Sequence, residues 1–230
     1  MLTEMAAREQ KYDQQAPRVL ARGPWEVGEI SARWLERTYT PTEEETAAAD
    51  AAISALQQRG SPSHDGIAAR LVDYSERAGG LEIELQPQRW ALRLIEGDAS
   101  LSVAALCVTR SADGRWLAGR RAPWVASWAG RWALGAGGAV DLGENPAHTL
   151  VRELHEEWGV TPARVRAEAL LKLPHGLVMF VGQAWLAEGA ERDVHPDEEH
   201  DAFDWWSQDI SRWPPEAGDA LPRMASWLSQ

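Results

Sequence analysis

Three glutamates crowd one short stretch of the chain, at positions 153, 156 and 157, within the segment Asn145 to Trp158. That segment carries the boundary signals of an α-helix: Asn145 as N-cap, Pro146 at the first helical position and Gly159 just past the end. At about 100° per residue, Ala147, Leu150, Val151, Leu154 and Trp158 gather on one face. Glu153, Glu156 and Glu157 gather on another face, predicted to look into solvent. Carboxylates at i, i+3 and i+4 lie ~5 to 6 Å apart and repel one another by a few tenths of a kcal/mol per pair. A hard divalent cation compensates that repulsion, because Mg²⁺ takes oxygen ligands in octahedral geometry and keeps waters or phosphate oxygens in its other positions. A solvated acidic stripe is the bland alternative, and for an arbitrary helix it is the default.

The surrounding residues decide between the two. From Gly138 to Val160 the chain reads GAVDLGENPAHTLVRELHEEWGV. Every defined position of G-x5-E-x7-R-E-U-x-E-E-x-G-U is met, with U a bulky apolar residue: Gly138, Glu144, Arg152, Glu153, Leu154, Glu156, Glu157, Gly159 and Val160. This is the Nudix box, and the chain resembles the Nudix hydrolase family. The resemblance implies an α+β fold, an α/β/α sandwich around a mixed sheet. It also implies Mg²⁺- or Mn²⁺-dependent hydrolysis of a nucleoside diphosphate linked to another group. It makes Glu153, Glu156 and Glu157 the metal ligands and Arg152 the cation that braces them. Gly138 lets the backbone approach the metal, and Glu144 either binds a further metal or supports the loop.

The hydrolysis needs a group to take a proton from the attacking water, within hydrogen-bond reach. Glu156 and Glu153 offer themselves locally. In other members of the family the base comes from a later loop, and here Glu199, in the acidic stretch Asp193 to Asp201, is the choice, with a solvated charged loop as the alternative. His195 and His200 lack zinc spacing and receive no ligand role. Gly135, Gly137 and Gly138 do not make a P-loop, since no Lys-Ser or Lys-Thr follows. Arg120, Arg121 and Arg131 flank the same loop and are candidate phosphate-binding residues. Trp124 and Trp128 are read as core rather than as base-stacking platforms.

These residues must be positioned by the elements around them. Thr40, Pro41 and Glu43 predict a helix start, with the alanine-rich run ending at Gln58 and Gly60. Leu81 to Leu85 alternates as a half-buried strand, and Trp90 to Ile95 is read as another. Residues up to about Gly23 are read as a loosely docked tail. An apolar strand from Leu101 to Val108 leads through Asp113-Gly114 into a hairpin partner, Arg115 to Arg120. Strands follow at Val165 to Leu173, Leu177 to Leu186 and Phe203 to Trp206, then a docking helix over Ala220 to Leu228. The chain divides into an N-terminal tail and small α+β lobe, 1–97, and the Nudix-like domain, 98–230.

At 230 residues, with 44% hydrophobic and 25% charged, this is an ordinary globular composition. The formal charge of -12 repels a nucleic-acid backbone and points to a small-molecule nucleotide substrate rather than a polymer. No run reaches membrane-spanning length, and no signal-peptide pattern opens the chain. With Cys107 its single cysteine, the chain is assigned to the cytoplasm. Cys107 lies in the apolar strand, which disfavours the cysteine-dependent isomerase chemistry that also uses this fold. The extra lobe favours a nucleotide sugar or ADP-ribose as substrate. Triphosphate sanitation is the second enzyme reading, and a nucleotide sensor without turnover the third. The oligomeric state stays open, a homodimer included.

Overall fold

The computed structural model describes residues 16–77, 79–95, 97 and 100–230. In chain order the elements are β1 (Arg18–Glu26), β2 (Ile30–Trp34), α1 (Glu43–Gln58), β3 (Ile67–Arg77), β4 (Gly80–Arg89) and a 3-10 helix over Trp90–Leu94. There follow β5 (Val103–Arg110), β6 (Trp116–Arg121), β7 (Trp132–Leu134), β8 (Ala136–Ala139) and α2 (Pro146–Trp158). The chain closes with β9 (Arg164–Lys172), β10 (Val178–Trp185), β11 (His200–Trp206) and α3 (Ala220–Leu228).

An eight-stranded sheet runs β1-β9-β10-β5-β6-β11, with β7 on β6 and β8 on β5. It is mixed: β10 and β5 are parallel, Val178 opposite Val103, and the other pairs are antiparallel. Strand alternation sorts the side chains of β5 and β6 onto two faces. Val103, Ala105, Cys107 and Leu117 join Leu150 and Leu154 of α2, whereas Val108, Trp116 and Ala118 join Leu221, Ala225 and Leu228 of α3. A helix therefore covers each face, giving the α/β/α sandwich. Trp116, Trp206 and Trp213 pack on one another beneath α3, with ring centroids 5.1 and 5.8 Å apart, so these tryptophans build core.

A second sheet, β2-β4-β3, carries Leu81, Ile83 and Leu85 into the same buried cluster as α2. The Ala69 N–H donates to Val140 O at 2.9 Å and the Leu71 N–H to Leu101 O at 2.8 Å. The core thus runs across the 97/98 division. Of the residues around that division, Glu96, Asp98 and Ala99 lie outside those described.

Three local expectations are corrected. The supposed tail up to Gly23 includes β1, which pairs with β9 from Arg18↔Lys172 to Glu26↔Arg166 and buries Ala21 and Trp25. Its register shifts twice, at Val19/Ala21 and Arg22/Trp25, so the period-2 signal is broken in the sequence. Residues 1–15 lie outside those described. Helix α1 starts two residues later than expected, because Thr42 rather than Thr40 is the N-cap: Glu45 N–H donates to Thr42 Oγ1 at 3.2 Å, and Thr42 N–H to Glu45 Oε2 at 2.7 Å. Both registers satisfy a capping box, and the second keeps Pro41 outside the helix. Trp90 to Ile95 is not a strand. Asp65 accepts from the Ala91 N–H at 2.9 Å, and Ala91 and Leu92 pack against Ala49, Ile53 and Leu56 of α1, so tertiary burial outweighs the apolar pattern.

Candidate metal and phosphate site

Helix α2 is capped as its sequence requires: the Asn145 side chain accepts from Ala147 N–H at 3.0 Å, and Gly159 adopts φ 69° at the end. Strand β2 steadies its entry. Asn145 Nδ2 donates to Ile30 O and Trp34 Nε1 to Glu144 O, both at 2.9 Å.

The three glutamates are not equivalent. Glu156 is exposed, as expected. Glu153 and Glu157 are buried, at 7% and 4% exposure, so the expectation that Glu157 faces solvent is overturned. The cause is β8, which lays Gly137 and Gly138 across that side of α2. Gly137 N–H donates to Glu157 Oε1 at 2.9 Å. At Gly138 a Cβ would meet the Glu153 carboxylate, which would have to shift, so glycine lets the strand and this carboxylate approach closely.

Burial pushes the Glu153 carboxyl up to about 7, against the pull of Arg152. Burial also holds Glu157 well above the usual carboxylate range, opposed by Arg121 and the Gly137 N–H. Glu157 Oε2 is buried without a hydrogen-bond partner. Poorly neutralised carboxylates with a reserved oxygen are suited to a hard cation, which would displace the proton that burial favours. Among the described residues no three His, Cys, Asp or Glu side chains already form a cage.

Arg152 is fully engaged. Its Nη1 lies 2.8 Å from both Glu153 Oε1 and Glu156 Oε2, its Nε 3.0 Å from Glu144 Oε1, and its Nη2 donates to Ala139 O at 2.9 Å. Burial alone would lower this guanidinium, but the carboxylates of Glu144, Glu153 and Glu156 hold it above the ordinary arginine range. Glu144 also accepts from Thr149 Oγ1 at 2.7 Å, so in this structure it ties the loop to the helix.

The loop before β11 closes the other side. Asp197 N–H donates to Glu157 O at 2.8 Å, and Glu199 N–H to Asp197 Oδ1 at 2.9 Å. Alternation along β6 turns Gly119 toward Trp158 and, with it, Arg121 toward α2. Arg121 Nη1 lies 3.0 Å from Glu199 Oε2 and 3.9 Å from Glu157 Oε2. Glu199 is therefore brought to the carboxylates, and its charge raises both Glu153 and Glu157. Arg120 points the opposite way and pairs with Asp201 at 2.6 Å, outside the site. The Arg131 guanidinium stacks over Trp128, 4.5 Å from the ring centroid.

Sequence reasoning missed His200. Its ring lies 4.4 Å from that of Trp158, with Nε2 3.7 Å from Glu157 Oε2 and Nδ1 3.5 Å from Asp197 Oδ1. No spacing rule finds it, because the pairing of β11 with β6 creates the neighbourhood.

The chain thus builds a sandwich around a mixed sheet, with an acidic helix packed behind a glycine-containing strand and its carboxylates braced by one arginine. A family model described as NUDIX domain matches residues 100–228, and the chain belongs to the Nudix family. Among solved structures it is similar to a MutT protein from Methanosarcina mazei Go1, at 23% identity and TM-score 0.42, over 56% of this chain and 96% of that one. It is also similar to the Nudix hydrolase RenU from M. smegmatis, at 22% identity and TM-score 0.34, over 56% and 81% of the two chains. A C. elegans Ap4A hydrolase binary complex matches at 18% identity and TM-score 0.37, over 56% and 98%. The comparison with curated proteins found no match.

Proposed function

We propose that the chain is a pyrophosphohydrolase that cleaves the diphosphate linkage of a small nucleoside diphosphate derivative, a nucleotide sugar or ADP-ribose being favoured over a free triphosphate. The observation that carries this reading is the pair of buried carboxylates, Glu153 and Glu157, lodged behind Gly137 and Gly138 with Glu157 Oε2 left without a hydrogen bond. Glu153, Glu156 and Glu157 would hold Mg²⁺ or Mn²⁺. When bound, the ion neutralises diphosphate oxygens and lowers the pKa of the attacking water. Arg152 fixes the carboxylates through its four-sided engagement. Glu199, oriented by Arg121, accepts the water's proton. The extra lobe ahead of the Nudix segment is the reason for preferring a diphosphate carrying a second group.

The test is a panel of sugar nucleotides, ADP-ribose, dinucleoside polyphosphates and nucleoside triphosphates with Mg²⁺ or Mn²⁺, the products resolved by chromatography and ranked by kcat/KM. Release of a nucleoside monophosphate from a sugar nucleotide or ADP-ribose is the expected outcome. Preference for triphosphates would move the reading to nucleotide sanitation, and tight binding without turnover to a sensor.

Among the described residues, no helix is long and apolar enough to cross a membrane.

A further inference from the structure

Three guanidinium groups share the field of the acidic site: Arg152, Arg121 and Arg93. The first two are spoken for. Arg152 is held by Glu144, Glu153, Glu156 and Ala139 O, and Arg121 by Glu199 and Glu157. Arg93 differs. It belongs to the 3-10 helix Trp90–Leu94, ahead of the Nudix segment, and is partly buried. Its contact is with the face of Trp90, its Cζ 5.2 Å from the ring centroid. Among the described residues its guanidinium makes no hydrogen bond or ion pair.

The fold places this side chain deliberately. The 3-10 helix is clamped by Trp90 N–H to Gly66 O at 2.8 Å and Ala91 N–H to Asp65 Oδ1 at 2.9 Å. Ala126, in the loop that leaves β6 directly after Arg121, packs against the cluster formed by Ala91, Leu92 and α1. The Ala122 N–H at the start of that loop donates to Glu199 O at 2.7 Å. The 3-10 helix that carries Arg93 is thereby held on the loop joined to Glu199, and Arg93 lies within the electrostatic reach of Glu153, Arg121 and Glu199. Loss of water around it holds its guanidinium below the ordinary arginine range. An arginine has five N–H donors, and a cation partly withdrawn from water is ordinarily paired. Among the described residues Arg93 has no hydrogen-bond acceptor.

We propose that Arg93 binds the substrate's diphosphate oxygens, so that the residues ahead of the Nudix segment contribute a phosphate clamp to the site. The inference rests on the pyrophosphohydrolase reading and adds to it a residue outside the Nudix box. A bidentate guanidinium–phosphate contact suits a planar fork and is weakened by lysine, which offers charge without the fork.

The experiment pairs two measurements on the full chain. Binding of α,β-methylene-ADP, whose bridge resists hydrolysis, is measured calorimetrically with Mn²⁺ for the wild type, Arg93→Ala and Arg93→Lys. KM and kcat are measured with the best substrate of the panel. Arg93→Ala should weaken analogue binding and raise KM by about 10- to 100-fold, as expected for a lost charged hydrogen bond. Arg93→Lys should recover part of both, at unchanged Tm. Wild-type affinity in both variants would overturn the clamp and leave Arg93 as a counter-charge for Glu153 and Glu199, as would a wild type that does not bind the analogue. A wild type that binds the analogue but cleaves nothing refutes the hydrolase reading alone, and the binding series still decides for Arg93. Should Arg93→Ala not fold, Arg93→Lys and Arg93→Gln carry the comparison.

Discussion

His200 Nε2 stands 3.7 Å from Glu157 Oε2, both atoms are buried, and neither makes a hydrogen bond. The other oxygen of Glu157 is spent on the Gly137 N–H. One carboxylate thus has a structural oxygen and a reserved one, which separates what its removal does to folding from what it does to chemistry.

Glu157→Gln keeps an acceptor for Gly137 and removes a poorly compensated buried charge, so the variant should fold with a Tm at or above that of the wild type. Mn²⁺ should raise the wild-type Tm and leave that of the variant nearly unmoved, because a ligand bound only to the native state stabilises it. Activity should fall on the order of 100-fold or more. Equal Mn²⁺ shifts in the two proteins would remove Glu157 from the ligand set.

Gly138→Ala tests the close approach. Its Cβ would occupy the space of the Glu153 carboxylate, and the displaced side chain would leave its 2.8 Å contact with Arg152. Because only the far end of a flexible side chain is met, a cost of about 1 kcal/mol or less in urea unfolding is expected, together with loss of most activity. Retained turnover would show that Glu153 can move without penalty.

Glu199→Gln leaves an acceptor for Arg121 but no proton acceptor. Loss of a general base should lower kcat by about 100-fold or more with little change in KM. A change of only a few-fold would return the role to Glu156 on the helix.

Cys107 is fully buried on β5, and burial pushes its thiol up to about 12. A raised thiol pKa leaves little thiolate at pH 8, so iodoacetamide should not label the native protein there, and reaction should follow urea unfolding. Labelling that kept pace with a free thiol under native conditions would contradict the burial.

What the sequence made legible was local. Asn145, Pro146 and Gly159 placed α2 to the residue because caps act over a single turn, and the Nudix box named its carboxylates because their spacing is helical. The split within that trio was not legible. Glu156 and Glu157 are neighbours, yet only the crossing of β8 buries Glu157, a contact made by residues 20 positions apart. The neighbourhoods of His200 and of Arg93 escaped for the same reason, since strand pairing and an N-terminal 3-10 helix bring distant parts of the chain together. Arg120 and Arg121 were alike in the sequence until strand alternation sent them to opposite faces.

Strand β1 also sets a limit on dissection. It hydrogen-bonds along β9, and Leu81, Ile83 and Leu85 share their burial with Leu150 and Leu154. A recombinant piece cut to residues 100–228 would bare a row of amide and carbonyl groups on β9 and an oily flank beside α2, the ingredients of intermolecular strand addition. Such a fragment should precipitate, so the Nudix segment and the strands ahead of it are expected to be movable only together.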